Sequence, residues 1–203
     1  HHRLCWRDLA AEGLERVHVN FTPTLIDVAG RVIGHSQGEA FALDYALELD
    51  ADWQLLRADL RLLDGHQLSL RRSDAGHWLN GYEVRVPALD GAVDIDIFAT
   101  PFTNSLPINR KKLAEGEATT TDVIYIADLE LNPVMARQKY LRTGAESYAY
   151  ESVTTGYKTQ FEVAIEVVDV PIDRTIQELT PAYVKVSAEG SGFSLLTNAI
   201  EVP

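Results

Sequence analysis

Two short stretches carry residue types able to do chemistry. The first, Gly34-His35-Ser36-Gln37-Gly38, fits the G-x-S-x-G pattern of a nucleophile elbow, in which a tight strand-to-helix turn presents a serine hydroxyl. The second is Asp94-Ile95-Asp96-Ile97. With the period of two of a strand, Asp94 and Asp96 share one face. Paired carboxylates of that kind can hold a divalent metal or act as acid and base in an enzyme on glycans or acyl esters. Each motif depends on the elements around it. An elbow needs several βα units before it and an acid and a histidine after it, yet only 33 residues precede Gly34, and the later histidines His66 and His77 fall in the next two hairpin-like segments. The stretch therefore reads as a hairpin connection whose glycines supply unusual backbone angles. Without a nucleotide-binding βαβ pattern, the Asp94/Asp96 pair reads as the wet or structurally hydrogen-bonded face of a strand.

The surrounding segments are strand-like. From Phe41 to Asp50 the odd positions are apolar, and Leu56, Ala58, Leu60 and Leu62 alternate with Arg57, Asp59 and Arg61. After the turn signal Asp64-Gly65, Leu68 and Leu70 face away from Ser69 and Arg71. Tyr82, Val84 and Val86, and later Phe161, Val163, Ile165 and Val167, repeat the alternation. Short turns between such runs imply antiparallel meanders and a mostly β fold. One helix is predicted in "TNSLPINRKKLAEG", with Asn104 or Ser105 as cap, Pro107 in the first turn and Gly116 at the exit. In "LNPVMARQKYLRTG" the local signals also say helix, with Asn132 as cap and Gly144 as stop.

The 203 residues are 46% apolar and 24% charged, which suits a single globular domain spanning 1–203. The formal charge of −12 opposes binding to nucleic acid and to anionic membrane surfaces. No run reaches the ~20 apolar residues of a membrane span, and the start lacks a signal-peptide core, so a cytoplasmic location is expected. The single cysteine, Cys5, agrees with a reducing compartment. Six histidines show no ligand spacing, so no metal or other cofactor is expected. The sequon Asn20-Phe21-Thr22 reads as a chance match. Tyr148 and Tyr150 would share one strand face, either as core packing or as a stacking platform for sugar rings.

The stretch "DIDIFATPFTNSLPINR", Asp94 to Arg110, resembles the signature D-I-D-L followed by T-P-F-T-N-T-L-P-I-R-R of a bacterial family described as "putative glycolipid-binding" proteins. Further support lies in "CWRDL", "GRVIG", "LDYALELDADW", "RQKY" and "YAYES". The resemblance covers about Trp6 to Asp169. It implies a spiral β-roll, a long antiparallel sheet wound around one short helix, and a strand around Gln138 against the local helix signals. It also implies a non-enzymatic carrier of a glycolipid or fatty-acyl ligand held in the lumen of the roll. Candidate headgroup contacts are Asp94, Asp96, Asn104, Arg110, Tyr148 and Tyr150. The alternatives are a carboxylate enzyme using Asp94 and Asp96, or a module serving association alone. Two departures stand out: Asn109 replaces an arginine, and the segment after Asp169 does not follow the usual closing pattern.

Overall fold

Alternating apolar residues build most of the chain into strands. The computed structural model describes residues 2–8, 13–36, 38–154, 156, 158–162, 187–189 and 197–199. Seven strands follow one another as hairpins: β1 (His2–Asp8), β2 (Leu14–Phe21), β3 (Leu25–Ser36), β4 (Glu39–Asp50), β5 (Leu55–Leu62), β6 (Gln67–Arg72) and β7 (Trp78–Asn80). With β14 (Thr197–Ala199) beside β1, they form an antiparallel sheet ordered β14-β1-β2-β3-β4-β5-β6-β7. A second sheet contains β8 (Asp94–Ile97), β9 (Ala118–Ile126), β10 (Pro133–Arg142), β11 (Ser147–Ser152), β12 (Lys158–Glu162) and β13 (Ser187–Glu189), ordered β13-β12-β11-β10-β9-β8. Its pairings are antiparallel except β8 with β9, which is parallel.

Sequence alternation becomes burial directly. Ile26, Val28 and Val32 of β3 and Leu43, Tyr45, Leu47 and Leu49 of β4 face the core, while Arg31 and Asp44 pair on the outer face. Each fully buried aliphatic side chain contributes roughly 1.5–3 kcal/mol. Trp78 is completely buried and its indole N–H donates to the carbonyl of Ala92 at 3.1 Å, which satisfies the polar handle of the largest core side chain. Val93 joins the two sheets, since its carbonyl accepts from Leu55 N and its N–H donates to Asp122 O, both at 3.1 Å.

The one α-helix among the described residues, α1 (Ser105–Lys111), follows a 3-10 turn at Phe102–Asn104. Leu106 and Ile108 point roughly 200° apart on it. Leu106 joins the main core together with Phe102, whereas Ile108 belongs to a second apolar cluster with Leu113, Tyr140 and Tyr148. The helix is thus packed on two sides, and the mostly β chain forms a roll around it.

Several local expectations change. Asn104 stands at the helix N-cap but makes no capping bond, because the 3-10 turn moves the true start upstream: the Thr100 hydroxyl accepts from Phe102 N at 3.0 Å. Ser105 Oγ instead donates to Phe102 O. The helix ends at Lys112, in the left-handed region with φ 48°, and Gly116 serves the following turn. Tyr82 to Val86 is not a strand. Asn80 Oδ1 accepts from the N–H groups of Tyr82 and Val84, closing a turn that leaves Tyr82 89% exposed. Pro133 to Arg142 is a strand despite its helix signals, because pairing with β9 and β11 outweighs local propensity. Ser36 closes the β3–β4 hairpin opposite Glu39, with no helix after it. Of the predicted strand from Phe161 to Val167, only Phe161 and Glu162 lie inside the described residues, as the end of β12.

Gly30 shows how closely the sheet is filled. It stands opposite Tyr45, and a Cβ at Gly30 would lie 2.1 Å from the tyrosine ring. Gly30→Ala is therefore expected to cost about 2–3 kcal/mol in urea unfolding, and less than about 1 kcal/mol in a Tyr45→Val background, where the clash is gone.

Candidate functional site

The parallel pair sets the site. On β8 Asp94 and Asp96 share a face, and the registers Asp94↔Val123 and Gln138↔Thr121 bring that face level with Thr121 of β9 and with Gln138 and Tyr140 of β10. The turn and helix lie over it, supplying Thr103, Asn104 and Arg110.

Asp94 is fully buried and held by a two-pronged contact from Arg110, with Nε at 3.2 Å from Oδ1 and Nη2 on Oδ2. The Thr121 hydroxyl donates to Oδ2 at 2.8 Å and accepts from Arg110 Nη2 at 3.1 Å. Burial pushes the Asp94 carboxyl above the usual carboxylate range, and Arg110 and Thr121 pull it back. Asp96 has only neutral partners. Gln138 Nε2 donates to its Oδ2 at 2.5 Å, and Thr103 Oγ1 lies 3.4 Å from its Oδ1 and 3.3 Å from Thr100 O, with one proton to give to either. Its carboxyl is also raised, with desolvation the main cause. Of the two readings of this face, wet or structurally hydrogen-bonded, the structure has the second, with Asp94 buried and Asp96 half-buried.

Tyr140 extends the network. Its hydroxyl lies 2.9 Å from Asn104 Oδ1 and 3.1 Å from Gln138 Oε1, with one proton to give to either. Burial, reinforced by the nearby Asp96, pushes this phenol well above its ordinary value and keeps it a donor. The Tyr140 and Tyr150 rings meet edge to face at 5.5 Å. Tyr148 and Tyr150 do share the strand face expected of them, and Tyr148 is packed with Ile108 and Leu113. All six candidate residues thus converge on the region between α1 and the second sheet. Asn109 turns back on the helix, donating to Ser105 O at 2.9 Å, and Arg110 engages Asp94.

A second acidic cluster lies between the first sheet and the Thr100 turn. Glu15 of β2 is 3% exposed, and its Oε1 accepts from the Tyr45 hydroxyl at 2.6 Å. The Thr100 hydroxyl lies 3.5 Å from the same phenol oxygen. Desolvation raises the Glu15 carboxyl to about 7. Sequence reasoning missed Glu15, Thr121 and Gln138. The available signal was a polar residue at an inward position of an apolar alternation: Glu15 with Val17 and Val19, and Gln138 between Ala136 and Tyr140. Among the described residues, no group of His, Cys, Asp and Glu is placed to hold a metal ion, and no helix is long and apolar enough to cross a membrane.

Comparison with known proteins bears on this arrangement. The family model described as "Putative glycolipid-binding" matches residues 3–170. The chain belongs to that family. It also matches the crystal structure of a DUF1089 family protein from Pseudomonas aeruginosa with a TM-score of 0.63 and 33% identity, covering 78% of this chain and 86% of that one. No curated protein matches. In this member of the family the signature residues Asp94, Asp96, Thr103, Asn104 and Arg110 are bonded to one another or to β9 and β10, which makes the signature a docking device for the helix as well as a candidate binding surface.

Two measurements test this reading. Arg110→Met leaves Asp94 buried without its cation and should cost about 3–5 kcal/mol in denaturant unfolding, much of it recovered by adding Asp94→Asn. For Glu15, a carboxyl that holds its proton more tightly when folded contributes fully below its unfolded value of 4.5 and loses that contribution as pH rises to about 7. The stability of the wild type relative to Glu15→Gln should therefore fall by about 3 kcal/mol between those pH values and stay level above them.

Proposed function

We propose that this protein binds, without catalysis, an amphiphile whose headgroup carries hydroxyls, a glycolipid being the type. One observation carries the reading: the apolar cluster of Ile108, Leu113, Tyr140 and Tyr148, with Tyr150 against it, is separate from the main core and borders the hydrogen-bonded layer of Asn104, Gln138 and Asp96. An apolar wall beside a few fixed polar groups is what an amphiphile requires. Half-buried Tyr150 offers a ring for a sugar face, and half-buried Asn104 and Arg110 offer amide and guanidinium donors at its rim. The occupied state of the carboxylates favours binding over turnover, because Asp94 is saturated by Arg110 and Thr121 and both oxygens of Asp96 have partners. Family membership agrees with this function.

The test is binding of octyl glucoside, below its micelle concentration, against octanoate, followed by calorimetry. Tyr150→Ala should weaken the glucoside about ten-fold, the value of one ring contact, and change octanoate less. Equal losses for both would remove the headgroup role of Tyr150, and absence of any glucoside binding by the wild type would overturn the reading.

A further inference from the structure

The Glu15 cluster is left unused by the function proposed above, and it is half satisfied. While Oε1 takes the Tyr45 proton and the Thr100 hydroxyl also interacts with the carboxyl, Oε2 is buried and has no partner within hydrogen-bond geometry among the described residues. A half-satisfied carboxyl in an apolar interior is worse for stability than an apolar residue at the same place. The fold nevertheless builds toward it. Gly30 has no side chain, which lets the Tyr45 ring lie against β3 and deliver its hydroxyl to Glu15. Thr100, 1% exposed, brings a third polar group from a separate segment. The Phe41 and Phe98 rings, 5.7 Å apart, supply apolar surface on the same two segments that carry Tyr45 and Thr100.

We propose that Glu15, Tyr45 and Thr100 form a second polar contact for the ligand, in which Glu15 Oε2 accepts a hydrogen bond from a ligand hydroxyl. A hydroxyl suits the cluster because it both gives and takes a proton. It can donate to the carboxylate, or accept from the carboxylic acid, and its remaining site can meet the Thr100 hydroxyl. An ammonium could satisfy only the ionised form. The contact lies on the first-sheet side of the Thr100–Asn104 turn, whose other side carries Thr103 and Asn104 of the tyrosine patch. Thr103 Oγ1 reaches back to Thr100 O at 3.3 Å, so the turn links the two polar clusters.

This inference rests on the reading of the protein as a binder of a hydroxyl-bearing amphiphile, and the test separates the two. Octyl glucoside is titrated into the wild type, Glu15→Gln, Thr100→Val and Tyr150→Ala, with affinity from calorimetry and carboxyl stretching bands from difference infrared spectroscopy. The expected result is a carboxyl band that moves on adding glucoside in the wild type and is missing in Glu15→Gln. Affinity should drop about ten-fold in Glu15→Gln, the size of a hydrogen bond to a charged group, and less in Thr100→Val. Thr100→Val leaves the carboxyl in place, so a smaller loss with the band still moving separates contact from misfolding. Glucoside binding that needs Tyr150 but is unchanged in Glu15→Gln, with no band movement, overturns this inference alone. No binding by the wild type overturns both.

Discussion

Everything around the candidate site depends on the buried pair between Asp94 and Arg110. The helix α1 has seven residues, far short of the length at which a helix holds itself together in water. Its position is fixed from outside, by Leu106 in the main core on one side and by Arg110 reaching the β8 carboxylate on the other. The pair also accounts for the short parallel strand. Asp94 sits at the start of β8, and Thr121 of β9 completes its hydrogen bonds, so one ionic contact ties helix, edge strand and neighbouring strand together. Its net worth as a stabiliser is small once desolvation is counted, but the cost of breaking it is large, which makes it a device of position more than of strength.

Three acids, Asp94 and Glu15 buried and Asp96 half-buried, show how environment assigns roles. Asp94 faces a cation, Asp96 faces an amide and a hydroxyl, and Glu15 faces a phenol on one oxygen, with the Thr100 hydroxyl nearby and, among the described residues, no partner within hydrogen-bond geometry on the other. Burial raises all three, through loss of hydration. Glu15 is raised to about 7, with no cation among its partners. The same side-chain chemistry is thereby divided between anchoring a helix, orienting a polar layer and leaving an acceptor open.

The β character of the chain was legible because its strands alternate so regularly. From Leu43 to Leu49 each inward residue is apolar, and the observed burial follows it. The helix was legible too, but its cap was not, since Asn104 is drawn away to Tyr140, which lies far along the chain on β10. Tyr82, Val84 and Val86 show the opposite failure. Residues with the right period form a turn because Asn80 captures the N–H groups of Tyr82 and Val84, while that of Val86 goes to Trp78 O, a local competition that periodicity does not register. Asp94, Asp96, Asn104, Arg110, Tyr148 and Tyr150 are candidates because their polar and aromatic groups suit a headgroup, and the fold brings them to one region. Thr121 and Gln138 join that group through strand register, which spacing within one segment cannot specify.

The order of the strands also bears on how the chain assembles. From β1 to β7 each strand pairs with the one just made, so the loops to be closed are short and their entropy cost is low. The second sheet begins differently. Asp94 meets Val123 only after the intervening turn and helix have been folded back over the same face, a non-local closure of the kind that slows folding. The meander is built on local contacts, whereas the segment bearing the buried charges depends on that non-local closure. Arg110 and Asp94 stand only 16 residues apart, so the two charges can meet across a short loop without waiting for the wider closure that buries them.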